Sequence, residues 1–388
     1  MVPFVYDIPT RVYFGEGQLS HLGEEVKRLA SRVLLVYGGG SIKKTGLYDR
    51  ILVQLKEAGV EAAELSGVEP NPRIKTVRKG LALCREKKLE AILAVGGGSS
   101  LDCGKFIAAS YYYNGDPWEM VENHIQAEKC LPVITVTTMA ATGSEMDPWV
   151  VISNPEKKAK LGYRTQGMYP AVSFLAPTLT YSVSKYQTAC GSADIFSHAI
   201  ETYFSDTGME MTDRFLEGIM NTVVRFAPVA LAKPDDYEAR ANILWCAEWA
   251  INGMVRNMQT QCGWSCHPLE HQLSAWYDIT HGLGLAILTP RWMDAVLSEK
   301  TAPRMHRLGT AVFGVDPALS HEKGARATIE ALSRWLFDEL GLASTLTEIG
   351  IGEEHLADMA RGAVECGLNR GYVPMDPQQA EAIYRACL

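Results

Sequence analysis

Over the first 180 or so residues, short unbroken apolar runs alternate with longer stretches in which apolar side chains recur at helical spacing. Arg32-Val33-Leu34-Leu35-Val36-Tyr37 reads as a buried strand that stops at Gly38-Gly39-Gly40. A helical stretch is predicted around Tyr48–Ala58, a second strand over Val60–Leu65 and an amphipathic helix over Ile74–Lys88. Ala91–Val95 is a third strand, ended by Gly96-Gly97-Gly98, and Leu131–Val136 is a fourth. Strands that alternate with helices predict a mostly parallel α/β sheet. Past Pro177 the spacing turns helical almost throughout, with helices expected over Thr188–Phe204, Met211–Ala232 and Asp236–Met258. The chain is therefore expected to divide near Pro177–Tyr181 into an α/β domain, residues 1–179, and an all-α domain, residues 180–388.

Composition narrows the class. A chain of 388 residues, 47% hydrophobic and 21% charged, suits a two-domain globular enzyme. Its formal charge of −8 argues against a nucleic-acid surface. No apolar run approaches the ~18 residues of a membrane span. The opening MVPFVYDIPTRVYFGEG has neither the basic nor the apolar region of a signal peptide. Nine cysteines, scattered from Cys84 to Cys387, suggest reduced thiols and a cytoplasmic protein.

The glycine turns bring in chemistry. Gly96-Gly97-Gly98-Ser99 follows a strand and precedes Leu101-Asp102-Cys103-Gly104-Lys105, the start of a helix. Glycines let the main chain approach a pyrophosphate, and the first helical amides point at the anion. Thr137-Thr138-Met139-Ala140-Ala141-Thr142-Gly143-Ser144-Glu145 also follows a strand and offers hydroxyls and amides. Either alone reads as well as an ordinary βα turn. Two at successive strand ends favour a nucleotide site, since ligands bind at that edge of an open sheet. Neither is a Walker A or a Gly-x-Gly-x-x-Gly sequence. The turn after the first strand, Gly38-Gly39-Gly40-Ser41-Ile42-Lys43-Lys44, lacks the acid that binds an adenosine ribose diol and carries a hydroxyl and two lysines. That favours NADP over NAD, although a lysine pair taken alone reads as a solvated surface turn.

Asp194 and His198, in GSADIFSHAIE, stand at i, i+4 on one helix face. His267 and His271 repeat the spacing in CHPLEHQLSAWYDITHG, and His281 follows at its end. A carboxylate with several imidazoles suits Fe(II) or Zn(II) and leaves room for a substrate oxygen. Spacing alone also fits surface histidine pairs. His21, His124, His306, His321 and His355 stand alone and read as structural. Cys262 and Cys266 do not form a structural zinc site, because no second cysteine pair completes four thiolates.

Pro70-Asn71-Pro72, Gly96–Ser99 with Asp102 and Lys105, Thr142–Glu145 and the two histidine segments occur in an order that resembles the iron-containing (group III) alcohol dehydrogenase family over nearly the whole chain. GGGSIKKTG, from Gly38, is similar to its NADPH-dependent butanol dehydrogenase branch, which includes aldehyde reductases. The resemblance implies a dehydroquinate synthase-like architecture: a Rossmann-like N-terminal domain, an all-helical C-terminal domain and a site in the cleft between them. It implies Asp194, His198, His267 and His281 as metal ligands, with His271 in the substrate pocket beside the metal. The implied cofactor contacts are Gly38, Gly39, Ser41, Lys43, Asn71, Gly97, Gly98, Ser99, Asp102, Thr138, Thr142, Ser144 and Lys160. Lys160 would reach the nicotinamide ribose; without the resemblance, Lys157-Lys158-Ala159-Lys160 reads as a solvated face. A homodimer paired near Val12–Phe14 is also implied.

The activity this implies is interconversion of primary alcohols and aldehydes with NADP(H) and one divalent ion, with His271 relaying the proton. A zinc-dependent glycerol-type dehydrogenase on the same scaffold and a non-catalytic nucleotide-binding protein are the alternatives. The chain departs from the branch at Asp147, where Asn is usual, and at Pro148-Trp149, where small residues are usual. A carboxylate and an indole there would change the polarity and size of the substrate pocket. Trp264, Cys266 and Tyr277 are further candidates for pocket walls, with core packing as the alternative.

Overall fold

The computed structural model describes residues 4–205, 209–253, 255 and 263–388. Asp7–Val183 forms one compact unit, and Ser184–Leu388 together with Met1–Tyr6 forms another. The first contains β1 (Arg11–Phe14), β2 (Arg32–Tyr37), β3 (Glu61–Leu65), β4 (Ala91–Gly96), β5 (Val133–Thr137), β6 (Trp149–Asn154), β7 (Ala159–Arg164) and β8 (Val172–Leu175). Six of these form a sheet in the order β1-β8-β5-β4-β2-β3, and every pairing in it is parallel.

The apolar runs follow from burial on both sides. Leu34, Val36, Ile92 and Ala94 join the core on one face of the sheet. Val33, Leu35, Tyr37, Leu93 and Val95 join the core on the other. A strand covered twice has no polar face, so its sequence does not alternate. The chain moves from β2 out to β3 and then returns across β2 to β4. The strand order therefore reverses between β2 and β4, and a crevice opens at their carboxyl ends. Gly38–Gly40 and Gly96–Gly98 sit there.

Two elements escape the sequence pattern. β6 and β7 form a separate antiparallel hairpin. Its turn has no Asn-Gly or Asp-Gly signal; Lys158 supplies the left-handed residue at φ 48°. β8 is a run of four residues between Pro170 and Pro177, too short to stand out.

Among its described residues, Ser184–Leu388 contains helices and no strand. Lys185–Tyr203 packs against Glu210–Ala232, Tyr237–Ile251 and His281–Ala295. Every residue of it from Thr188 onward is buried, and the Ser184 hydroxyl caps its first turn. The expected helix 236–258 is seen as Tyr237–Ile251; residues 254 and 256–258, like Cys262, lie outside the described residues. Glu210–Ala232 is long and apolar enough to cross a membrane by length and composition, although no unbroken apolar run marks it in the sequence. It carries buried Asp213 and Glu217, however, which pair with Arg304 and Arg307 inside the same unit.

Candidate metal centre and nucleotide turns

Three helices bring the metal candidates together. Asp194 and His198 lie on Lys185–Tyr203, His267 and His271 on Cys266–Tyr277, and His281 opens His281–Ala295. The third helix approaches the first closely at Gly282, where a Cβ would stand 1.9 Å from the carbonyl oxygen of Cys190. Only glycine allows that approach. His198 Nε2 and His281 Nε2 each lie 3.6 Å from Asp194 Oδ1. Donor atoms of Asp194, His267 and His281 fall within 4.8 Å of one another. The His267 ring centroid is 4.9 Å from that of His198 and 5.2 Å from that of His281.

This arrangement fits a metal ion. Ligands that share one ion through bonds of ~2.0–2.2 Å lie about 3–4 Å apart. His267 Nε2 is buried with no hydrogen-bond partner among the described residues, a cost that an ion at that position removes. Behind the rings stand two side chains absent from the sequence reading. Glu201 Oε1 is 2.6 Å from His267 Nδ1, and Glu270 Oε2 contacts His281 Nδ1. Both glutamate side chains are fully buried. Helical spacing puts Glu201 a turn beyond His198 and Glu270 a turn past His267, but that spacing alone does not distinguish them from solvated surface glutamates.

His271 is beside this group, its ring 5.7 Å from His281 and 6.1 Å from His267. Trp264 packs 4.5 Å from the His267 ring and so belongs to its surroundings. Cys266 is buried core, where burial holds its thiol far above the usual range. Tyr277 lies by His355, 6.2 Å between ring centroids.

In the α/β unit, Gly97, Gly98 and Ser99 open the helix Gly98–Ser110 at the end of β4. A Cβ on Gly98 would meet the Thr142 side chain at 2.5 Å, so the two turns touch. The Thr138 amide donates to Gly96 O at 3.0 Å and ties the β5 end to the β4 end. Asn71 holds a left-handed turn at φ 52° between its prolines. Lys160 is buried on β7, while Lys157 and Lys158 are exposed.

Below these turns lies a buried polar network. The fully buried Lys105 ammonium donates to Asp147 Oδ1 at 2.8 Å, Ser144 Oγ at 2.9 Å, Ser144 O at 2.9 Å and Trp149 O at 2.8 Å. Asp102 accepts from the Ser144 hydroxyl at 2.7 Å and from the Val151 amide at 2.8 Å. The expectation that Asp147 alters pocket polarity is thereby corrected. Its carboxylate turns inward to Lys105 because a buried ammonium needs a counter-charge. Trp149, 38% exposed, instead lines a cavity of 350 Å³ with His124, Gln126 and the segment Gly162–Gln166.

Burial pushes the Asp102 carboxyl up to about 6, against the opposing pull of Lys105, the Val151 amide and the Ser144 hydroxyl. A carboxyl raised on folding contributes stability that is fully present below its unfolded value, near 4, and is lost as pH rises through about 6. The shift corresponds to about 3 kcal/mol. Asp102→Asn removes this dependence and leaves Lys105 and Asp147 a neutral pair. Calorimetry from pH 4 to pH 8 is expected to show the variant gaining on the wild type as pH rises; parallel curves would refute the assignment.

The lysine turn also differs from expectation. No acid follows β2 in sequence, but the fold supplies one from the neighbouring strand. Glu64 on β3 accepts from Tyr37 OH at 2.7 Å and Tyr48 OH at 2.6 Å. Lys43 Nζ sits over both rings, 5.3 Å and 4.4 Å from their centroids. Lys43 is exposed, but its ammonium is held over the two rings with a carboxylate near them.

Comparison with known proteins shows the family. The family described as iron-containing alcohol dehydrogenase matches residues 9–177, and its C-terminal counterpart matches residues 188–388. An NADH-dependent butanol dehydrogenase A of Clostridium acetobutylicum is 49% identical over 365 residues, 94% of this chain and 93% of that protein. An NADPH-dependent aldehyde reductase of Escherichia coli is 35% identical over 366 residues, 93% of each. The crystal structure of an NADH-dependent butanol dehydrogenase A from Thermotoga maritima matches with a TM-score of 0.94 at 36% identity, covering 99% of this chain and 98% of that one. The parallel sheet and the helical unit are thus accounted for together: the chain belongs to the iron-containing alcohol dehydrogenase family.

Proposed function

We propose that this protein interconverts primary alcohols and aldehydes, butanol and butanal among them, using NADP(H) and one divalent ion, Fe(II) before Zn(II). The observation that carries the reading is the convergence of Asp194 Oδ1 with the Nε2 atoms of His198 and His281 at 3.6 Å each. Asp194, His198, His267 and His281 would hold the ion. A carboxylate among imidazoles, with no thiolate, tilts the set toward the harder ion. When bound, the ion supplies Lewis-acid polarisation of a substrate oxygen and the nicotinamide supplies the hydride. The chain's own part is positional. Gly97, Gly98 and Ser99, at the start of the helix Gly98–Ser110, would present helical amides to a pyrophosphate. His271, whose ring nitrogen lies near donor atoms of His281 and Glu270, would pass a proton to or from the substrate oxygen.

Ser41, Lys43 and Lys44 support the phosphorylated nucleotide. NAD(H) is the second reading, favoured by Glu64 beside Lys43 and by relatives named NADH-dependent. Oxidation of NADPH and NADH with butanal, before and after chelation and after return of Fe(II) or Zn(II), tests both points. Metal-dependent turnover with a higher kcat/KM for NADPH is expected. Turnover that survives complete metal removal overturns the metal assignment, and equal or better use of NADH overturns the nucleotide assignment.

A further inference from the structure

The metal candidates are gripped from behind, and the two grips differ chemically. Glu201 accepts at Oε1 from His267 Nδ1 and, at 2.9 Å, from the Ser197 hydroxyl. Its Oε2 accepts from the amides of Ser265 and Cys266 at 2.7 Å each and of His267 at 3.3 Å. One carboxylate thus caps the helix Cys266–Tyr277 and orients the first histidine on it. Glu270 accepts at Oε2 from His281 Nδ1 and at Oε1 from the Ser274 hydroxyl. Room for it is built in: a Cβ at Gly284 would come within 2.8 Å of Glu270 Cγ.

We infer that Glu201 and Glu270 are positioning residues of the metal centre, fixing His267 and His281 in the Nδ1–H tautomer with the Nε2 lone pair turned toward Asp194. This rests on the metal assignment proposed above. A carboxylate can only accept, so each imidazole must carry its proton on Nδ1 and leave Nε2 unprotonated, as a ligand requires. A buried carboxylate behind the ring also makes Nε2 a better donor, and losing such a partner weakens metal affinity by about 10- to 100-fold.

The two sites respond differently to the same substitution. At Glu201 the amides of Ser265 and Cys266 demand an acceptor, so Glu201→Gln places its oxygen there and its NH2 group against His267 Nδ1. The ring must then accept at Nδ1 and protonate Nε2, the wrong tautomer for a ligand. At Glu270 the partner is a hydroxyl, which can accept as well as donate. Glu270→Gln can therefore turn its NH2 group to Ser274 and keep its oxygen on His281 Nδ1–H. The tautomer survives and only the charge is lost. Glu270→Leu loses both.

The test is competition for Zn(II) and Co(II) between the chelated full-length protein and a chromophoric chelator, with circular dichroism and thermal unfolding of the metal-free protein as controls for folding. Glu201→Gln and Glu270→Leu are expected to bind about 10- to 100-fold more weakly than wild type, and Glu270→Gln less than about tenfold more weakly. The Co(II) absorption of Glu270→Gln should remain that of the wild type. Affinities of Glu270→Leu and Glu270→Gln both within about twofold of wild type, in protein with an unchanged metal-free melting profile, would overturn the inference. The Glu270 pair decides the matter even if Glu201→Gln does not fold. Wild-type protein that binds neither ion overturns the metal assignment itself, whereas wild-type binding with indifferent variants overturns only the role of the glutamates.

Discussion

His281→Ala is expected to lose bound metal and turnover together. His281 contributes one of the two Nε2 atoms that lie 3.6 Å from Asp194 Oδ1. Alanine leaves Asp194, His198 and His267 without the donor that approaches from the third helix. Lewis-acid polarisation supplies several kcal/mol of transition-state stabilisation. At 1.36 kcal/mol per factor of ten, kcat/KM should fall by roughly 10³ or more. Protein purified without oxygen should contain about one ion per wild-type chain and far less in the variant. A second effect separates the variant from a merely misfolded one. An ion that binds only the folded chain stabilises it, so chelation should lower the wild-type melting temperature and leave His281→Ala nearly unmoved. A metal-free His281→Ala protein that kept wild-type turnover would dismantle the whole assignment of Asp194, His198, His267 and His281.

How much of this site could be read from the sequence depends on whether a residue's role is local. Asp194 and His198 declare themselves by i, i+4 spacing, and the strands β2 and β4 by unbroken apolar runs that stop at glycines. Both signals survive because a helix turn or a buried strand imposes them on neighbours in the chain. Glu201 and Glu270 do not declare themselves. Each looks like the polar residue of a helix surface, and only tertiary packing shows them fully buried against His267 and His281. Glu64 fails for the same reason. It lies on the strand after the lysine turn and reaches Tyr37 and Tyr48 only because β3 pairs with β2. The reading of Asp147 as a pocket carboxylate erred in the same direction. From sequence its neighbours are Pro148 and Trp149; in the fold its partner is Lys105, forty-two positions away. The hairpin β6–β7 was lost to a turn without the usual turn residues, and β8 to its shortness.

That buried lysine carries the second large effect. Lys105→Met is expected to destabilise the α/β unit by roughly 3–5 kcal/mol, the cost of removing one partner from a buried ion pair. The ammonium is 0% exposed and shares its three N–H donors among four acceptors, Asp147 Oδ1, Ser144 Oγ, Ser144 O and Trp149 O. Methionine fills nearly the same volume, so the loss is electrostatic and not a cavity. It strands the Asp147 carboxylate, already pushed up by burial and held down chiefly by Lys105, with the weaker pull of Arg164 left to oppose its burial. Burial likewise raises Asp102, which loses its opposing pull from Lys105. For a unit of this size the melting temperature should fall by roughly 6–20 °C. The segment from Thr138 to Trp149 should loosen with it, because Lys105 ties the Ser144 and Trp149 carbonyls to the helix Gly98–Ser110. Nucleotide binding would then weaken as well, since Thr142 touches Gly98 and Ser144 bonds Asp102. The double variant Lys105→Met/Asp147→Leu isolates the cause. It removes both charges and should recover much of the lost stability, because well-packed apolar side chains commonly replace a buried ion pair without penalty. Calorimetry of the two variants beside wild type checks this. A single variant that melts with the wild type, or a double variant less stable than the single, would show that the pair is not what holds this turn to its helix.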